Sequence, residues 1–103
     1  MSFKLRFAKH ADDVLTSLER DPGQASVRKL KKVRKALAHL ERDPRYPGLH
    51  SHQYESFPVD KDVKVWDSYV ENRTPGGWRI FWHYGPDEPG QPVITVLAIG
   101  PHP

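Results

Sequence analysis

Residues 78–84 read Trp78-Arg-Ile-Phe-Trp-His-Tyr84. Aromatic and aliphatic side chains crowd into seven positions, a composition that suits a pleated, half-buried strand. Successive side chains of a strand point to opposite faces. Trp78, Ile80, Trp82 and Tyr84 therefore form one set, and Arg79, Phe81 and His83 the other. The first set predicts a face packed on a core. The second puts a guanidinium, a phenyl ring and an imidazole on the opposite face, so this stretch divides the molecule into a structural side and a side that carries chemistry.

Two further runs of the same kind flank it. Val63-Lys-Val-Trp-Asp-Ser-Tyr-Val70 precedes and Val93-Ile-Thr-Val-Leu-Ala-Ile99 follows, with Gly- and Pro-rich segments at 72–77 and 85–92 between them. The pattern predicts three successive antiparallel strands. By parity, Trp66 joins the core and Asp67, Tyr69 and Glu71 join the Arg79 side. Upstream, Phe3, Leu5 and Phe7 alternate with Lys4 and Arg6, the period of a short first strand. Val14, Leu15 and Leu18 have helical spacing after Asp12 and Asp13, and Asp21-Pro22-Gly23 stops that helix. Val27, Leu30, Val33, Leu37 and Leu40 form a narrow stripe that predicts a second helix over 24–42, ended by Asp43-Pro44. Residues 46–54 show no period and read as a loop. The expectation is one α+β domain over 1–103, in the order β-α-α-β-β-β, with two helices on one face of an antiparallel sheet and the other face free.

The 103 residues suffice for one core. The absence of cysteine excludes disulfides, thiolate metal sites and a thiol nucleophile, and fits a reducing compartment. No apolar run approaches a membrane span, and the first residues lack the apolar stretch of a signal peptide, so a cytoplasmic protein is expected. The net charge of +3 is unevenly spread: residues 1–50 hold 12 Lys and Arg against 6 Asp and Glu, residues 51–103 hold 4 against 7. Arg28, Lys29, Lys31, Lys32, Arg34 and Lys35 form one run with no acid among them. Such a run is either a solvated helix face or a surface for a polyanion or an acidic partner.

Arginine, histidine, carboxylate and aromatic side chains on one face are the parts needed to cleave RNA without a metal. A base takes the ribose 2′-OH proton, a cation stabilises the phosphorane, and an acid protonates the leaving 5′-oxygen. Arg79 suits the second role through its planar fork, His83 either of the others, and Tyr69 and Phe81 could stack on a splayed base. The competing reading makes Arg79 a salt-bridged residue, with Asp67 or Glu71 as its cross-strand partner. His50-x-His52 is a weak hint of a metal without a patterned third ligand, and His10 and His39 read as ordinary surface or boundary residues.

Val65-Trp66-Asp67-Ser68-Tyr69-Val70, Gly77-Trp78-Arg79-Ile80-Phe81-Trp82 and the run from Val93 to His102 resemble the last three strands of the RelE/ParE superfamily of bacterial toxin–antitoxin toxins. The resemblance covers nearly the whole chain and is strongest around Arg79. In the RelE and YoeB branches it implies a cytoplasmic, ribosome-dependent mRNA endoribonuclease that uses no cofactor or metal and is held in check by a cognate antitoxin. It assigns the reacting phosphate to Arg79 and makes His102, in Gly100-Pro101-His102, the candidate acid. It offers Glu55 as the base, with Asp67, Glu71 and His83 as rivals. The six helix cations would dock on ribosomal RNA. Where RelE-like toxins carry cations along the second strand, Val65, Asp67 and Tyr69 stand here, so the cleft is more acidic. The alternatives are a ParE-like inhibitor of DNA gyrase and a non-toxic relative that acts as a binding protein.

Overall fold

A computed structural model describes residues 2–72 and 74–101. The alternating N-terminal segment forms β1 (Lys4–Phe7), followed by α1 (Lys9–Arg20) and α2 (Gln24–Arg42). Helix α1 starts a turn earlier than its apolar stripe. An i,i+4 ion pair between Lys9 and Asp13 supports that first turn, and Asp12 faces the positive end of the helix dipole. The Asp21 carboxylate then accepts hydrogen bonds from the Gly23 N–H and the Ser26 hydroxyl, which joins the end of α1 to the start of α2. These bonds hold the Asp21 carboxyl below its usual range.

The second half supplies β3 (Trp66–Tyr69), β4 (Trp78–Tyr84) and β5 (Val93–Pro101). Two features correct the expected antiparallel, four-stranded sheet. Residues 46–54 are not simply a loop: they hold a 3₁₀ turn at Pro47–Leu49 and a two-residue strand, β2 (His52–Gln53). The sheet order is β1-β5-β4-β3-β2, and β1 runs parallel to β5, so the sheet is five-stranded and mixed. The parallel pairing follows from the two-helix crossover, which carries the chain over one face and returns it in the opposite sense before the meander begins. The strand expected over 63–70 is shorter because only Trp66 to Tyr69 pair with β4.

Both helices cover the face that bears Ile80, Trp82, Ile94, Val96 and Ile99. Ala11 from α1 and Val33, Ala36, Leu37 and Leu40 from α2 close the core, with Trp66 and Trp78 packed at its margin. Val27, at the start of the predicted stripe, is exposed. On this face Ser68 is a buried polar group, and its partners are satisfied in a chain. The Trp82 indole N–H donates to Ser68 Oγ at 2.8 Å, Ser68 donates to Ser51 Oγ at 2.6 Å, and Ser51 donates to the Pro44 carbonyl at 3.0 Å. This relay ties the segment after α2 to the sheet and thereby fixes β2. Among the described residues no helix is long and apolar enough to cross a membrane.

Candidate functional site

The face turned away from the helices carries Asp67 opposite Phe81 and Tyr69 opposite Arg79, with His52 of β2 opposite Asp67. Pairing across β2, β3 and β4 thus gathers side chains from three separate stretches of the sequence. Asp67 is 0% exposed, and a carboxylate so buried requires charge partners. Arg79 Nη1 donates to both its oxygens, at 3.3 and 3.2 Å, and His52 Nε2 lies 3.5 Å from Oδ2. The Arg79 side chain is 16% exposed, and its guanidinium carbon sits 3.6 Å from the Tyr69 ring centroid. Cation–π stacking on one side and a carboxylate at one end leave the guanidinium little freedom to rotate. Its Nε is buried with no acceptor among the described residues, and Nη2 makes no hydrogen bond there. Nε is closed to solvent, so a ligand meets the guanidinium through its terminal nitrogens, which carry the charge that phosphate recognition needs.

His52 is half exposed, and its Nδ1 lies 3.0 Å from the His50 carbonyl oxygen. That carbonyl can only accept, so Nδ1 carries a proton and Nε2 holds the lone pair when the ring is neutral. His50 adopts the left-handed conformation, φ 47° and ψ 40°, at the end of the 3₁₀ turn. This bend aims its carbonyl at His52 and brings its own ring to 5.1 Å from Tyr69.

Other expected members of the site lie elsewhere. His83 shares the Arg79 face but stands four residues along β4, about 13 Å away at the rise of a strand, and its Nδ1 meets the Tyr84 carbonyl. Phe81 lies between them at 4% exposure, beneath the rings of Tyr54 and Phe57. It therefore cannot offer a face to a base, and the sheet face is not free along its whole length. Tyr69 is already packed against the Arg79 guanidinium and the rings of His50 and His52. Glu55 is exposed in the segment after β2. His102 lies outside the described residues.

Glu71 departs furthest from the parity reading. Strand β3 ends at Tyr69, and the chain then turns so that Glu71 meets α2: Lys29 Nζ at 2.7 Å, Lys32 Nζ at 3.2 Å, and the Trp78 backbone N–H at 3.1 Å. The Lys29 hydrogen bond, against the opposing effect of burial and with help from Trp78 and Lys32, pulls its carboxyl down to about 2. The repulsion along the basic run is thus relieved from outside the helix, by Glu71 and, for Arg34, by Glu19 of α1. Arg28, Lys31 and Lys35 have no ion pair among the described residues. No three His or acidic side chains among the described residues are grouped to hold a metal ion.

The sequence reading missed His52 as the neighbour of Asp67. The spacing of His50 and His52 was visible, but no pattern linked it to a carboxylate fifteen residues later. Comparison with protein-family models, with curated proteins and with solved structures finds no match to this chain.

Proposed function

We propose that this chain is a toxin of RelE type, a ribosome-dependent mRNA endoribonuclease acting in the cytoplasm under the control of an antitoxin. The observation that carries the reading is the Arg79 guanidinium. It is held by a fully buried carboxylate and an aromatic ring on the face away from the helices, its side chain partly open to solvent and its Nη2 without a hydrogen bond among the described residues. The element order supports it: β-α-α followed by a three-stranded meander, with the short β2 added at the edge.

In this reading Arg79 binds the scissile phosphate and stabilises the charge that develops on it. The 2′-oxygen attacks phosphorus, its proton passes to Nε2 of His52, and the imidazolium so formed is stabilised by Asp67. Asp67 acts as a positioning residue for both groups and not as the base itself, since its oxygens are already engaged. The bond from phosphorus to the 5′-oxygen breaks, and His102, in the role the family resemblance implies, gives that oxygen a proton. The products are a 2′,3′-cyclic phosphate and a 5′-hydroxyl, with no metal in the step.

A binding-only reading, as a gyrase inhibitor or a non-toxic relative, draws on one observation. Asp67 offsets the Arg79 charge and Glu71 offsets two lysines, which lowers the affinity available for RNA. Induction of the chain and of Arg79→Ala in bacteria, with primer extension of transcripts, separates the two. The nuclease reading expects growth arrest with cuts at codon positions in the parent and neither in the variant. DNA damage without transcript cuts, or equal arrest by both proteins, would overturn it.

A further inference from the structure

A cavity of about 380 Å³ opens between α2 and the segments that follow it, and it shares Tyr69 with the Arg79 cluster. It falls within the size range of small-molecule sites, roughly 300 to 1,000 Å³. Lys32, Lys35 and His39 line it from one side of α2, Tyr46 from the turn after that helix, and Tyr69 from β3. Tyr69 therefore borders both this cavity and the Arg79 guanidinium. The Tyr46 and His39 rings are stacked, 4.1 Å between centroids and 3° from parallel. The turn is shaped for that ring: a Cβ at Gly48 would come within 2.6 Å of Tyr46 Cε2. Glu71 is the acidic residue of the lining, and Lys29 and Lys32 neutralise it. Lys35 keeps its charge without an ion pair among the described residues.

We infer that this cavity is a second subsite for single-stranded RNA, taking the nucleotide next to the phosphate held by Arg79. The base lies against the His39–Tyr46 pair, and Lys35 contacts the adjoining phosphate. A flat aromatic pair beside an unneutralised cation is the combination that binds single strands with little regard to sequence. The inference rests on the reading of the chain as an RNA-acting protein and adds where the strand continues beyond Arg79.

The test is fluorescence anisotropy with a labelled single-stranded hexaribonucleotide over a range of salt, run alongside cleavage assays of Arg79→Ala. Tyr46→Ala is expected to weaken binding roughly fivefold or more through lost stacking. Lys35→Gln, a change on an exposed helix surface that leaves the fold intact, is expected to weaken binding and to reduce the slope of log affinity against log salt by about 0.7. If both variants bind with the parent's affinity and salt slope, the subsite is overturned, whatever Arg79→Ala does. If both lose affinity while Arg79→Ala cleaves like the parent, the subsite stands and the catalytic reading falls. A parent protein that binds no hexanucleotide sinks the subsite outright.

Discussion

Asp67 and Glu71 are four residues apart and each is largely or wholly buried, yet they do different work. Asp67 is still within β3 and points to the face without helices, where it holds Arg79 and stands beside His52. Glu71 lies past the strand's end and reaches the other way, binding Lys29 and Lys32 of α2 and the Trp78 N–H. One carboxylate orients a candidate site, whereas the other fastens a helix to a hairpin. Their chemistry is the same, and only the point at which strand pairing stops decides which way each faces.

Removing either carboxylate probes that contrast. Asp67→Ala leaves the Arg79 charge with 16% exposure and no carboxylate, and should cost about 3 to 5 kcal/mol in urea unfolding. A loss below about 1 kcal/mol would mean that the pair does not hold this face together. His52→Ala sharpens the functional half: RNA cleavage should fall by about 10² to 10⁴ with the unfolding midpoint little changed, as expected for a half-exposed proton acceptor. Equal losses of activity and stability would make His52 a structural residue.

Glu71 carries the pH-dependent half. Its folded carboxyl titrates near 2, well below the ordinary 4.5, so its stabilising effect is complete above pH 4.5 and is lost as pH falls from there towards 2. Glu71→Gln should remove about 1 to 3 kcal/mol at neutral pH and flatten the acid limb of the stability curve over that window. An unchanged acid limb would contradict its role as the tether of α2. The smallest effect is expected at Glu88, which pairs with Lys4 and Arg6 at the far edge of the sheet in solvent. Glu88→Gln should leave the unfolding midpoint where it is.

Sequence reading reached the parts that depend on local period. The bounds of α2 follow from its stripe and the Asp43-Pro44 stop, and β4 spans the aromatic run that suggested it. Face parity holds through Trp66, Asp67 and Tyr69 because these residues pair in the sheet. It fails at Glu71, where pairing has ended. Strand β2 was invisible because two residues carry no period and pair only because the relay through Ser51 and Ser68 brings them to β3. Parity also says which side a residue faces but not how far it lies along the strand. Arg79 and His83 were therefore grouped, although Phe81 and the rings over it separate them. The parallel union of β1 with β5 depends on how the helices return the chain, which no short window of residues encodes.

The central claim is that the Arg79 guanidinium engages the reacting phosphate. The most direct measurement is the single-turnover rate of mRNA cleavage on programmed ribosomes by the purified parent and by Arg79→Lys, with near-ultraviolet circular dichroism to verify the fold. Lysine keeps the charge and loses the paired donors, so the account predicts a folded protein whose cleavage falls by at least about a hundredfold. A folded variant that cuts at the parent's rate would contradict it.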